Sequence, residues 1–310
     1  MKYLNILSGS WIAQKARAKY FGRCKLNVPD APVDSRDWIT SRIWRAREVD
    51  LKEFSRRDLT PGVKNQGSIG SCVGHSGRVV YGSTEEFKEK EPSAMWIYKK
   101  GQFYDPWPGE DYSGTTIRGA CKGLVKEGCC EEKYWPDLRK EGAPMSPEAP
   151  ENALKYKING YYVIPKGDTD RIKSALFKEP LWTSIKVRSH FFQTDGTGIV
   201  DSDKFLSSKV VGGHAVSMIG WKEIDGKLYW EFQNSWGRWF GNKGYFFMED
   251  SLYQEAIINA VGPYYLDVKS EEEKPNPKPN PKPEKKKFNK KYLIIAATAI
   301  TVLWAMIEIM

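Results

Sequence analysis

Three short segments of the chain carry side chains that could together perform nucleophilic chemistry. Cys72 lies in VKNQGSIGSCVGHSG, at the start of a helical stretch, where the helix dipole and unpaired N–H groups favour a thiolate. His214 follows two glycines in GGHAVSMIGW, and Asn234 lies in QNSWG at the end of a later strand. A thiol, an imidazole and an amide in this order supply a nucleophile, a base and a group that orients the base.

Each of these residues has an ordinary structural interpretation when it is taken singly. A cysteine at a helix start is more often a small buried hydrophobic residue, and a histidine on an apolar strand is more often a core residue. His75, three residues after Cys72, would lie on the same helix, so it is a poor alternative base and is expected to pack in the core. The three segments together favour the catalytic interpretation.

The elements that must position these residues begin as helices. Helical periodicity covers residues 72–88 and 115–127. Asp168 or Thr169 is expected to cap a third helix, DRIKSALFKE, which stops before Pro180. The first of these helices would carry Cys72 at its N-terminal end.

Strand patterns dominate the second half of the chain. An Asp225-Gly226 turn between two alternating runs predicts a hairpin. The predicted strands cover residues 157–165, 181–187, 214–221, 227–236 and 244–249. A helical half followed by an antiparallel half indicates an α+β fold with the site between the halves.

The segments around these residues resemble those of the papain family of cysteine peptidases. QGSIGSC is similar to the family's QGSCGSCW segment, GGHAVSMIGW to its histidine strand, and QNSWGRWFGNKGYFFM to its NSWGxxWGExGY segment. PSAMWIYKKGQ and GTTIRGACKGLVKEGCCEEKYWP resemble the family's helix and the Glu-x-x-Tyr-Pro turn after it. The resemblance covers roughly residues 35–265. It implies a papain-like α+β fold, with a helical N-terminal half, an antiparallel β-barrel-like C-terminal half and the active-site cleft between them.

The resemblance also implies a role for each matching residue. Cys72 would be the nucleophile, held as a thiolate by an ion pair with His214. Asn234 would accept a hydrogen bond from the imidazole, and Trp236 would shield that bond from water. Gln66 would donate its side-chain amide, beside the Cys72 backbone N–H, to the oxyanion of the tetrahedral intermediate.

Four positions depart from the family's pattern without removing a catalytic group. Ile69 occupies the place of a usual half-cystine, and Val73 replaces the Trp that normally follows the nucleophile. Phe240 stands where a Trp is typical, and Gly213 stands where Asp or Asn is common. These changes prevent the family's substrate preference from being transferred to this chain.

Five cysteines are present, and the four besides Cys72 lack the family's secreted disulfide pattern, which favours a reduced, cytoplasmic domain. They are Cys24, Cys121, Cys129 and Cys130. The adjacent pair does not match zinc spacing. We expect no cofactor and no metal.

The formal net charge of +9 is concentrated at the two ends of the chain. Residues 1–57 carry +7 and residues 269–291 carry +5, while residues 58–268 carry −2 and Glu308 carries −1. Since the body is nearly neutral, a basic nucleic-acid groove is excluded. A polypeptide substrate is the expected partner, and the oligomeric state is open.

The C-terminal end predicts a membrane anchor. Alternate prolines in residues 270–284 predict an extended spacer, and residues 292–307 carry no charge. Lys290 and Lys291, just before this run, place the catalytic domain on the cytoplasmic side of a single-pass membrane protein. An oligomerising or surface-lying helix is the alternative.

The N-terminal end shows no convincing signal peptide. Residues 8–25 could form a basic amphipathic helix or a solvated arm, and the whole arm could act as a short plug. The predicted organisation is a basic arm at 1–34, a peptidase domain at 35–268, a Pro/Lys-rich linker at 269–291 and a transmembrane helix at 292–310.

These features predict a cysteine-type endopeptidase that hydrolyses peptide bonds and is tethered to a membrane by its C-terminus. A catalytically weak papain-like scaffold that presents a peptide groove at a membrane is the alternative. A third hypothesis keeps the thiol chemistry but passes the acyl group to an amine or a thiol.

Overall fold

The backbone forms a helical half and a sheet half that meet along one helix. The computed structural model describes residues 25–29, 38–39, 49–87, 89–106, 113–137, 144–258 and 262–268. These residues lie in one compact unit.

The predicted linker and membrane helix, residues 269–310, lie outside the described residues. Within the described ranges, no helix is long and apolar enough to cross a membrane. The anchor therefore stays a prediction from the sequence.

The helices of the N-terminal half pack around a shared apolar core. In the described part of the chain they are α1 (Cys72–Gly82), α2 (Ala94–Tyr104), α3 (Ile117–Glu127) and α4 (Ala149–Leu154), with 3-10 turns at Glu85–Phe87 and Glu132–Tyr134. The side chains of Ser93 and Thr116 cap α2 and α3 by accepting backbone hydrogen bonds. Gly74 lets α1 approach α2, because a Cβ there would lie 2.1 Å from the carbonyl oxygen of Ala94.

The structure confirms the three predicted helices and shortens them. Helix α1 ends at Gly82 rather than at residue 88, because the hydroxyls of Ser83 and Thr84 donate to carbonyl groups of the last turn. The third helix, α5 (Thr169–Leu176), is capped by Asp168, whose side chain accepts a hydrogen bond from a backbone N–H of the first turn.

The described strands form a single sheet. They are β1 (Trp38–Ile39), β2 (Glu53–Ser55), β3 (Gly160–Val163), β4 (Leu181–Arg188), β5 (Val210–Ile224), β6 (Lys227–Gln233), β7 (Tyr245–Glu249) and β8 (Tyr264–Asp267). The order is β1-β3-β8-β4-β5-β6-β7, with β2 also paired to β5. Helices α6 (Ser202–Ser207) and α7 (Asp250–Ala256) and the 3-10 turns Arg57–Leu59 and Ser189–Gln193 complete the elements of the described ranges.

The sheet confirms the antiparallel prediction for the C-terminal half. Strands β3 to β8 pair antiparallel, and only β1 joins in parallel, on β3. Asp225 and Gly226 form the predicted β5–β6 turn, with positive φ of 50° and 74°, as a type I′ turn requires. Among the described strands the pairing follows an open path from β1 to β7, which differs from the barrel-like arrangement expected.

Helix α1 and the sheet are joined by buried hydrogen bonds. The indole N–H of Trp182 donates to Ser76 Oγ at 2.7 Å, and the hydroxyl of Ser217 donates to the Ser76 carbonyl at 3.0 Å. Ser76 lies one turn after Cys72, and Ser217 lies three residues after His214. The bonds therefore fix the cysteine helix against the histidine strand.

Candidate active site

Cys72 is the first residue of α1 and is fully buried at the junction of the two halves. Its thiol lies against the backbone of Ala215, the residue that follows His214 on β5. Because the first residues of a helix have no intrahelical acceptor for their N–H groups, the Cys72 amide can donate into the cleft.

His214 is held by Asn234. Its Nε2 lies 2.7 Å from Asn234 Oδ1, which also accepts the backbone N–H of Ser235 at 2.8 Å. The amide oxygen can only accept, so Nε2 carries the proton and donates it, and Nδ1 keeps a lone pair. Nδ1 has no hydrogen-bond partner among the described residues. A neutral imidazole in this tautomer can take the proton of a thiol.

Trp236 covers the imidazole. Its ring stacks on His214 with centroids 4.5 Å apart and an interplanar angle of 29°, and Phe192 stacks on its other side at 5.4 Å. Trp236 is fully buried. Water therefore cannot compete for the bond between His214 and Asn234 from this side.

Gln66 is oriented by a residue that sequence reasoning passed over. Ser235 Oγ donates to Gln66 Oε1 at 2.6 Å, and Gln66 Nε2 donates to the Ile69 carbonyl at 2.8 Å. The amide therefore has its nitrogen, and not its oxygen, available to the cleft. Ser235 sits in the quoted Asn-Ser-Trp segment, but a serine beside an asparagine reads as a turn residue from sequence alone.

Residues 25–29 of the N-terminal arm occupy the cleft. The Lys25 carbonyl lies 3.5 Å from Gln66 Nε2, the donor expected for an oxyanion. Two residues on, the Asn27 backbone contacts the Cys72 thiol and forms a parallel bridge with Gly213. Nothing in the composition of this segment marks it, because these contacts with the site are made by its backbone.

The arm contacts both halves of the molecule. Val28 is buried in the apolar core that contains Cys72, and its N–H donates to the Gly213 carbonyl at 3.2 Å. Leu26 packs against the other core, which contains Trp236. A Cβ at Gly213 would lie 2.2 Å from the Val28 carbonyl oxygen, so the passage of the arm requires glycine there.

Burial sets the charge state of the catalytic pair. Desolvation raises the pKa of the Cys72 thiol to about 11, opposed in part by backbone groups of Ala215, Val73 and Asn27. Desolvation also lowers the pKa of His214 to about 4, although the hydrogen bond that His214 donates to Asn234 acts to raise it. The pair is thus neutral at pH 7, whereas the sequence led us to expect a thiolate and an imidazolium. The helix dipole does not overcome the loss of solvent around the buried thiol.

His75 lies in a polar cluster and not in apolar packing. It is 2% exposed, and its Nε2 is 3.2 Å from Asp137 Oδ2. An arginine on the same helix, Arg78, is also buried and lies 3.4 Å from Glu91. The described residues contain no cluster of His, Cys, Asp and Glu arranged to hold a metal ion.

The thiol of the full chain is expected to react slowly at neutral pH. Because a raised pKa disfavours the thiolate, the thiolate fraction at pH 7 should be about 100-fold below that of a cysteine with the ordinary value of 9.0. Iodoacetamide labelling of Cys72, followed by mass spectrometry, should therefore accelerate as pH rises toward 11. Labelling at pH 7 as fast as for a small free thiol would contradict the buried, neutral pair.

The chain has relatives among known peptidases. A family model described as "Papain family cysteine protease" matches residues 46–263. Peptidase 1 of Euroglyphus maynei is 28% identical over 202 residues, which cover 64% of this chain and 59% of that protein. Cathepsin K of Mus musculus is 25% identical over 249 residues, which cover 79% of this chain and 71% of that protein. The chain thus spans about three fifths of the Euroglyphus maynei protein.

Solved structures share the fold. Xylellain, a cysteine protease from Xylella fastidiosa, superposes with a TM-score of 0.66 at 23% identity, covering 80% of this chain and 97% of that one. Digestive procathepsin L 3 of Tenebrio molitor larval midgut gives a TM-score of 0.60 at 18% identity, covering 83% of this chain and 80% of that one.

The fold has a helical half and a sheet half, and a buried thiol lies with a histidine–asparagine pair at their junction. This arrangement defines the site of a thiol-dependent enzyme. The family model covers more than half of the chain. The chain therefore belongs to the papain family of cysteine proteases, as the quoted motifs predicted.

Proposed function

We propose that the protein is a cysteine-type endopeptidase that hydrolyses peptide bonds with Cys72 as nucleophile. The observation that carries this proposal is that one segment of extended chain, residues 25–29, contacts Cys72, Gln66 and Gly213, the residue next to His214. An extended peptide backbone in that place would meet the nucleophile, the base and the oxyanion donor together.

The reaction follows from the position of each proton. His214 Nδ1 takes the proton of Cys72, and the sulfur bonds to the peptide carbonyl carbon. The carbonyl oxygen gains the electron pair and accepts hydrogen bonds from Gln66 Nε2 and the Cys72 N–H. The imidazolium then gives its proton to the leaving amine as the C–N bond breaks. Water, deprotonated by His214, releases the carboxylic acid and returns the proton to the thiol.

The arm also supports cleavage within a chain rather than at its end. Residues 25–29 are internal, and the polypeptide continues on both sides of them. A cleft that holds such a segment accepts a substrate that enters and leaves as continuous chain. A polypeptide substrate must displace this arm, so we propose that the protein with its arm in the cleft is latent.

Attachment to a membrane is a separate part of the proposal, and it rests on the sequence alone. Residues 292–307 are uncharged and follow two lysines. This would place the catalytic residues on the cytoplasmic side, at the end of an extended spacer.

Product analysis in isotopically labelled water tests the reaction class. An unfolded protein incubated with the enzyme should yield fragments whose new C-terminal carboxylates carry label from the solvent. A matched incubation with an added amine should not change these products if hydrolysis is the reaction. Fragments joined to the amine, without labelled carboxylates, would instead identify acyl transfer.

A further inference from the structure

A small polar cavity lies behind the active site, between α1 and the end of β6. Arg78 and His75 line it from α1, and Gln233 and Asn234 line it from the sheet side. It leaves about 10 Å³ for the centre of a water-sized molecule. Since roughly 10 Å³ is the minimum for one buried water, the cavity can hold a single molecule of that size.

Apart from His75, three buried polar atoms of these lining residues make neither a hydrogen bond nor an ion pair with a described residue. They are Arg78 Nε, Asn234 Nδ2 and Gln233 Oε1. Their residues are 1%, 3% and 2% exposed, so bulk water does not satisfy these atoms. Leaving buried polar atoms unpaired destabilises the folded state, so a bound molecule that pairs with them is favoured.

Other atoms of these three side chains already make hydrogen bonds, which restrict the rotation of each side chain. Another nitrogen of Arg78 donates to the Gly62 carbonyl, and Gln233 Nε2 donates to the Pro61 carbonyl at 2.8 Å. Asn234 Oδ1 is held by His214 and by the Ser235 amide. The three free atoms therefore have fixed roles, as two donors and one acceptor.

These roles identify the guest. It must accept hydrogen bonds from Arg78 and Asn234 and donate one to Gln233, and a water molecule does both. A halide ion cannot donate to Gln233 Oε1. The neighbouring charges are already paired, with Glu91 near Arg78 and Lys64, and Asp137 near His75. A neutral molecule in the cavity is therefore sufficient, and no bound ion is needed to balance charge.

We propose that one buried water links Arg78 to the Asn234 amide, and that Arg78 is a positioning residue for the reaction. The water fixes Nδ2 on the side away from His214, so Oδ1 remains the atom that faces Nε2. A reversed amide would set two donors against each other and release the imidazole. Arg78 and Cys72 share α1, so one helix carries the nucleophile and steadies the residue that orients its base. The inference rests on the proposed peptidase function.

A double-mutant cycle tests the positioning role in the full chain. Arg78→Met should lower kcat about tenfold with little change in KM, and should have less than about a twofold effect in the Asn234→Ala background. Arg57→Met is the control, because Arg57 also pairs with a glutamate, Glu231, but does not line the cavity. It should act equally in both backgrounds. Equal losses from Arg78→Met in both backgrounds would overturn the role of Arg78.

A high-resolution crystal structure of the full chain tests the water independently of activity. Density within hydrogen-bond distance of Arg78 Nε, Asn234 Nδ2 and Gln233 Oε1 is expected, and its absence would overturn the proposal. If Arg78→Met does not fold, Gln233→Met replaces it in the cycle, because this change also removes one partner of the water. Its effect on kcat should likewise be smaller in the Asn234→Ala background. An equal effect in both backgrounds would overturn the role of the water. If the wild-type protein cleaves no substrate, the proposed peptidase function is wrong, whereas the electron density still decides whether the water is present.

Discussion

Cys72→Ala is expected to abolish cleavage of an unfolded protein substrate, with a loss of at least about 10³-fold in kcat. The methyl group cannot attack the carbonyl carbon, and no acyl-enzyme can form. The change removes only a sulfur from a fully buried side chain, so the fold should persist. Fragment appearance by gel or mass spectrometry, with thermal unfolding recorded beside it, measures both effects.

Cys121→Ala provides the matched control. Cys121 is a fully buried cysteine in the same apolar core, on α3, so its change to alanine also removes one sulfur atom at the same burial. It should retain cleavage. Undiminished cleavage by Cys72→Ala would show that another group carries the chemistry, and equal losses in both variants would point to a folding defect.

The candidate catalytic residues could be recognised in the sequence because their chemistry is local to each segment. The local sequence predicts the context of each one. The cysteine begins a helix, the histidine follows two glycines, and the asparagine ends a strand. The hairpin through Asp225 and Gly226 was equally readable, because positive φ at both positions favours these residue types. The family resemblance then supplied the pairing of segments that lie far apart in the sequence.

The charge state of the pair could not be predicted, because it depends on burial, which is set by the tertiary structure. The helix N-terminus argues for a thiolate, but Cys72 is fully buried and its desolvation outweighs that effect. The arm at 25–29 binds through backbone contacts and through ordinary apolar side chains such as Val28, so its composition gives no distinct signal. The expected core position of His75 agrees with its burial, but its partner Asp137 could not be predicted, because it is 62 residues away and lies beyond any helical or strand pattern.

The arm explains one departure from the family pattern that the sequence left without a cause. Asp or Asn is common in the family where this chain has Gly213, and any Cβ there would lie 2.2 Å from the Val28 carbonyl oxygen. Gly213 has no positive φ to require glycine. The absence of a side chain at Gly213 thus leaves room for the arm, and a side chain at this position should push the Val28 backbone away from β5.

Gly213→Ala is therefore expected to displace residues 25–29 and expose the catalytic pair. The other close neighbour of the new Cβ is the flexible tip of Ile258, whereas the Val28 contact is backbone. With solvent restored, the pKa of Cys72 should fall from about 11 toward its ordinary value of 9.0 or below. Labelling of Cys72 by iodoacetamide at pH 7 should rise by about 100-fold or more, and peptide cleavage should rise with it.

Gly220→Ala is the control that distinguishes the release of the arm from steric strain within β5. A Cβ at Gly220 would also lie 2.2 Å from a carbonyl oxygen, that of Phe54 on β2, so the steric change is the same but the arm is untouched. It should leave Cys72 labelling unchanged. If Gly213→Ala folds and Cys72 stays slow, the arm is not what suppresses the thiol. If Cys72 labels quickly but no peptide is cut, the cleft binds peptides without cleaving them, which would favour the scaffold hypothesis over the peptidase.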